Sequence, residues 1–165
     1  MNTKPNKLLY DGFLKIQSTD TDLGDREVCV RPDAVACLLH DNDHILLTVQ
    51  QRVGPLYHND HENFYEVPAG MIDPNETAVQ AVIREIYEEL SVKLTAPKYH
   101  GVFYPSPGGL SERIHLYSQR FVSLKSLHIT PQQDKYEHIE FHILRNYEYS
   151  ISDMKTQLLL KCIGL

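Results

Sequence analysis

Three carboxylates, Glu85, Glu88 and Glu89, fall close together in the stretch GMIDPNETAVQAVIREIYEELSV, residues 70–92. Val79, Val82, Ile83, Ile86 and Leu90 recur at helical spacing through the same stretch, which therefore reads as an amphipathic helix. Positions i, i+3 and i+4 of a helix share a face, so the three glutamates form a stripe beside the apolar one. Like charges so spaced destabilise a helix by roughly 0.2–0.5 kcal/mol per pair. Arg84 answers one of them and leaves the others. A solvated, charged face is one explanation. The other is a site for a hard divalent cation. Mg²⁺ takes oxygen ligands, usually one or two carboxylates, and leaves positions for water and phosphate.

The elements that must carry this helix are short. Asn75 is the expected N-cap, with Glu76 in the first turn, where a negative charge meets the helix dipole favourably. LLYDGFLKIQST reads as one amphipathic strand and TDTDLGDRE as a polar turn. AVACLL (34–39) is a short apolar run of the buried-strand kind. ILLTVQQ (45–51) follows the tight turn HDNDH, and GPLYHNDHEN (54–63) reads as a loop. FYEVPAG (64–70) is a short strand ending in Pro-Ala-Gly. YHGVFY, RIHLYSQRFV and HIEFHIL supply later strands. Ser152 or Asp153 caps a last helix whose apolar face is Leu158, Leu159, Cys162 and Ile163, with Gly164 at its end. Strands, a helix, more strands and a helix give an α/β fold, a mixed sheet covered by helices.

Composition narrows the function classes. The chain has 165 residues, 42% of them hydrophobic, and a formal charge of −6. That length suits one globular domain with a small extension. The acidic balance argues against nucleic acid or an anionic membrane surface as partner. No apolar run approaches the ~18 residues of a membrane span. Cys29, Cys37 and Cys162 show neither metal-type spacing nor a disulfide framework. These features suit a cytoplasmic protein.

The wider spacing around the glutamates is more specific. Gly70 is followed by Glu76, Arg84, Glu85, Ile86, Glu88, Glu89, Leu90 and Val92. This closely resembles the Nudix box, G-x5-E-x7-R-E-U-x-E-E-x-G-U with U aliphatic. The last glycine alone is replaced, by Ser91. A left-handed residue often ends a helix there, and serine in that conformation costs about 1 kcal/mol. The resemblance implies a Nudix α/β/α sandwich with a mixed sheet. It divides the chain into an N-terminal β extension, 1–28, and a Nudix hydrolase domain, 29–165. It makes Glu85 and Glu89 ligands of Mg²⁺ or Mn²⁺, Glu88 a ligand or an aid to the ligands, and the carbonyl of Ala69 a further donor. Glu76 and Arg84 would brace the loop and helix.

Other stretches resemble the ADP-ribose and nucleotide-sugar pyrophosphatases within that superfamily. YPSPGGLSERIHLY places Pro107 fifteen residues after Val92, near where those enzymes carry a marker proline. The same resemblance makes Glu112 a substrate or metal contact and assigns Arg113 to a phosphate or the neighbouring chain. Glu66 precedes Pro-Ala-Gly as an acidic residue does in that subgroup. Arg52 in QQR, and Arg31, are candidates for phosphate or ribose oxygens. His58, Asp60 and His61 read as an exposed polar loop. The general base is expected in QQDKYEHIE, where Asp134, Glu137 and Glu140 are available and Glu137 is preferred. The implied reaction is metal-dependent hydrolysis of ADP-ribose or a related nucleoside diphosphate sugar. A GDP-mannose pyrophosphatase is the alternative. A nucleotide-cleaning or RNA-decapping enzyme and a non-catalytic nucleotide sensor rank lower. The resemblance also implies a homodimer completed by the N-terminal extension.

Overall fold

The computed structural model describes residues 6–60, 63–131, 139–145 and 151–165. The chain opens with β1 (Lys7–Asp11), β2 (Lys15–Thr19) and β3 (Arg26–Val30), an antiparallel three-stranded sheet. LLYDGFLKIQST is thus a hairpin rather than one strand. It turns at Gly12, and Asp11-Gly12 is a turn dipeptide.

A second sheet forms the body. It contains β4 (Ala34–His40), β5 (His44–Gln50), β6 (Phe64–Glu66), β7 (Ala69–Met71), β8 (Lys98–Phe103), β9 (Ile114–Arg120) and β10 (Glu140–Arg145). The order is β10-β5-β4-β9-β8, with β6 added to β5 and β7 to β4. Among the described strands of this sheet, β4 and β9 alone run parallel, from Ala34 opposite Ile114 to His40 opposite Arg120; the other pairs are antiparallel. FYEVPAG is therefore two strands with different neighbours, parted at Val67 and Pro68.

Among the described residues, three α-helices flank these sheets: α1 (Val53–Tyr57), α2 (Ala78–Leu90) and α3 (Met154–Ile163). The alternation of β4 shows how α2 and α3 cover the sheet. Val35, Cys37 and Leu39 pack with Val82, Ile86 and Leu90 of α2. Ala36 and Leu38 point the other way, towards Leu159 and Leu160 of α3. Both faces are buried, which is why β4 reads as an unbroken apolar run. This is an α/β/α sandwich. Burial pushes the Cys37 thiol pKa up, as a small core residue in apolar surroundings requires. None of the described helices is long and apolar enough to cross a membrane.

Several expectations shift in detail. Residues 53–57, within the expected loop, form the single turn of α1. The N-cap of α2 is Thr77, whose hydroxyl closes a capping box with Gln80. Asn75 sits instead in the left-handed region, φ 68°. Val79 and Ile83 lie on the outer side of α2, and Ala81 takes a place in the core. Asp153 caps α3 by accepting from Thr156 N. Its most buried apolar residues are Leu159 and Leu160, while Leu158, Cys162 and Ile163 are half-buried.

Candidate functional site

The turn between β7 and α2 is organised by one guanidinium. Arg84 grips Glu76 with two prongs, Nε to Oε1 at 2.9 Å and Nη2 to Oε2 at 2.8 Å. Its Nη2 also donates to the Met71 carbonyl at 2.9 Å. Its Nη1 reaches Glu85 Oε1 at 2.9 Å and Glu88 Oε2 at 3.0 Å. Arg84 thus serves two glutamates of the stripe rather than the one expected, because one nitrogen lies between them. Glu76, expected inside the helix, precedes it and closes the turn by accepting from Asp73 N at 3.1 Å. Hydrogen bonding to Arg84 holds the Glu76 carboxyl below the usual carboxylate range. The same pairing raises Arg84, which stays charged.

Glu85 lies directly over Gly70, where a Cβ would overlap its carboxyl group. The glycine thus leaves the space in which this carboxylate sits. Burial raises the Glu85 pKa, outweighing the opposite pull of Arg84. Oε2 of Glu89 is closed off from solvent.

These groups form one wall of a cleft of about 520 Å³. Ala69, Gly70, Glu85 and Glu89 line it together with Arg31, Arg52, Glu66 and Glu112. Seven of the proposed site residues therefore meet, from β6, β7, α2 and the segments after β3, β5 and β8. Glu88 does not line the cleft and points to Arg84 at the surface. Pro107 is exposed outside it. Arg113 is held by Asp33 through two nitrogens and does not line the cleft. His58 and Asp60 are exposed. Glu140 is an exposed residue of β10 opposite Val49. Asp134, Glu137 and His61 lie outside the described residues.

Gln50, Phe64, Met71 and Lys155 also line the cleft, and no motif pointed to them. Lys155 comes from the first turn of α3. Its Nζ donates to Glu66 Oε2 at 3.0 Å and Asp153 Oδ1 at 2.7 Å. Burial alone would lower its pKa, but the charges of Asp153 and Glu66 raise it. Arg31 meets Glu112 at 3.5 Å. The loop bearing Glu112 is tied to β3, since Cys29 N donates to Gly109 O at 2.8 Å and Ser111 N to Cys29 O at 3.0 Å.

The family model described as NUDIX domain matches residues 30–156. The chain belongs to the NUDIX family. It is a Nudix hydrolase. It is 26% identical over 152 residues to the ADP-ribose pyrophosphatase of Haemophilus influenzae, covering 83% of this chain and 70% of that one. An ADP-ribose pyrophosphatase of Bacillus subtilis is 32% identical over 94 residues, 56% of this chain and 48% of its own. An RNA pyrophosphohydrolase of a Bradyrhizobium strain is 38% identical over 52 residues, 32% of this chain and 31% of its own.

The donor chemistry of this Nudix cleft suits a hard cation. Glu85, Glu89 and the Ala69 carbonyl offer oxygen only, and Gly70 keeps their wall free of a side chain. Among the described residues, no three acidic, histidine or cysteine side chains already converge as a metal cage. Arg84 draws Glu85 and Glu88 to itself.

Proposed function

We propose that this Nudix hydrolase cleaves the pyrophosphate bond of ADP-ribose or a related nucleoside diphosphate sugar, giving a nucleoside monophosphate and a sugar phosphate. The observation that carries this reading is the pairing, in one cleft, of a carboxylate wall with the guanidinium groups of Arg52 and Arg31. A substrate with two linked phosphates needs both. The names of the Haemophilus and Bacillus relatives support the same class.

Glu85, Glu89 and the Ala69 carbonyl would hold Mg²⁺ or Mn²⁺, with Glu88 aiding them. When bound, the cation neutralises phosphate oxygens and polarises the attacking water. Arg52 and Arg31 bind and orient the phosphates through forked N–H groups. Glu112, held by Arg31, faces the same space. A carboxylate accepts the proton of the water, and Glu137 is the residue proposed for that role. The hydroxyl adds to one phosphorus while the bridging oxygen leaves with the other phosphate.

The N-terminal sheet exposes Leu8, Leu9, Tyr10 and Phe13. Apolar side chains clustered on a small sheet suit burial against a second copy, so a homodimer is part of this proposal. Light scattering of the eluted protein checks it, and a monomer at micromolar concentration refutes it.

The substrate test is direct. The protein is incubated with Mg²⁺ and ADP-ribose, GDP-mannose, UDP-glucose, NADH or nucleoside triphosphates, and product release is followed. ADP-ribose turning over fastest, to AMP and ribose 5-phosphate, is expected. Faster turnover of GDP-mannose selects the alternative. Turnover of triphosphates alone removes the nucleotide-sugar reading.

A further inference from the structure

Four charges alternate in a row from α3 into the cleft: Asp153, Lys155, Glu66 and Arg52. Glu66 is 2% exposed. Its Oε2 accepts from Lys155 and its Oε1 accepts from Arg52 Nε at 2.6 Å. The inner end of the row is anchored. Asp153 Oδ2 accepts from Thr156 N at 2.9 Å and from Thr156 Oγ1 at 2.7 Å. The same Thr156 oxygen accepts from Val67 N, next to Glu66, at 2.9 Å. The N-terminus of α3 therefore grips both the backbone and the carboxylate of this segment.

The outer end is different. The Arg52 side chain is 39% exposed, and Glu66 is its side-chain partner among the described residues. A guanidinium carries five N–H donors. Glu66 takes the one on Nε, and the four on the terminal nitrogens remain for a ligand.

This single-pronged contact is a consequence of Lys155. A carboxylate with both oxygens free takes arginine in a bidentate fork. Here Oε2 is already occupied by Nζ of Lys155. Removing that ammonium frees Oε2 and leaves Glu66 buried with one cation, so the guanidinium is drawn into the fork. A terminal nitrogen is then lost to the substrate.

We propose that Lys155 is a positioning residue for substrate binding: by holding one oxygen of Glu66 from α3, it limits Glu66 to the Nε of Arg52 and keeps the terminal nitrogens of Arg52 for a phosphate. The inference rests on the reading of the cleft as a pyrophosphate site, and it concerns KM rather than the chemical step.

The test compares Lys155→Met with Lys155→Arg. Lys155→Met is expected to raise KM for the turned-over nucleotide sugar about tenfold, with kcat within about twofold. Lys155→Arg, which still donates to Glu66, restores most of the affinity. A crystal structure of the substrate-free Lys155→Met protein is expected to show Arg52 and Glu66 in a two-pronged pair. An unchanged single contact overturns the proposal, as does an unchanged KM or an equal loss in Lys155→Arg. Asp153→Asn keeps a capping oxygen on α3 but loosens Lys155, so it raises KM by a smaller factor and serves if Lys155→Met does not fold. If the wild type turns over no nucleotide sugar, the substrate reading fails, and the substrate-free geometry still decides the role of Lys155.

Discussion

Asp41 and Glu85 are acidic residues at opposite ends of β4, and the fold treats them in opposite ways. Asp41 follows the last residue of the strand. Its Oδ1 accepts from Asp43 N at 2.9 Å and His44 N at 2.7 Å, and its Oδ2 accepts from Leu124 N at 2.8 Å. Burial opposes its charge, but these backbone donors win and hold its pKa at about 2. Glu85 lies over Gly70, which pairs with Val35 near the start of β4. Arg84 offers it one nitrogen, shared with Glu88, and burial raises its pKa. The backbone completes Asp41, which makes it a structural residue. It leaves Glu85 under-served, which suits a group whose partners arrive with substrate.

The sharpest way to break that contrast is to remove each charge. Glu85→Gln and Glu89→Gln are each expected to lower kcat by about a hundred- to a thousandfold, the scale of losing a group that stabilises developing charge. Neither should lower the melting temperature, because each relieves a like-charge contact on α2. Steady-state assays with saturating Mg²⁺, beside thermal melts, check both halves. Unchanged turnover would refute the ligand assignment, and a large loss of stability would make Glu85 a second Asp41.

Asp41→Ala is the converse experiment. It strands three backbone N–H groups in a largely buried turn and is expected to destabilise the protein by about 2–3 kcal/mol. Turnover per folded molecule should not change, since the turn lies at the far end of the strand from the cleft. The pH dependence has a definite sign. The folded pKa of Asp41 lies below its ordinary 3.8, so its stabilisation is present above pH 3.8 and disappears as pH falls through about 2. Denaturant titrations should therefore show wild type and Asp41→Ala differing most near neutrality and converging towards pH 2. A gap that stays constant to pH 2 would remove charge from the explanation.

The contrast also shows what the sequence could reveal. The 3.6-residue period and the Nudix spacing disclosed α2 and its glutamates, because the information is local. The start of α2 is less legible, because Asn75 resembles a cap while the Thr77–Gln80 box two residues later does the capping. The hairpin in LLYDGFLKIQST was concealed by its apolar residues, although Asp11-Gly12 signalled it. Lys155 was invisible for another reason. Its partner Glu66 lies 89 residues away, and no local spacing encodes a charge alternation that forms only when α3 closes over β6. Asp41 was equally silent, since an aspartate in a turn carries no sign that Leu124 N, 83 residues on, will meet it.

The smallest expected effect concerns Ser91, at the other end of α2 from the Gly70 turn. Its backbone is left-handed, φ 58° and ψ 22°, as the missing box glycine implies. Relieving an L-residue of that conformation gains about 1 kcal/mol. Two things offset the gain. Glycine loses more chain entropy on folding, and the Ser91 hydroxyl donates to Thr130 O at 3.2 Å. That contact is exposed and long, so its loss costs about 0.5 kcal/mol. With the glycine entropy cost of roughly 0.5 kcal/mol included, Ser91→Gly is therefore expected to leave stability within about 0.5 kcal/mol of the wild type, no more than about 1–2 °C in melting temperature for a chain of this size. Turnover should stay within error, because the hydroxyl meets a backbone carbonyl away from the cleft. A Ser91→Gly protein destabilised beyond that range would show that the Thr130 contact outweighs the strain, and that serine here fastens the end of α2 to the segment after β9.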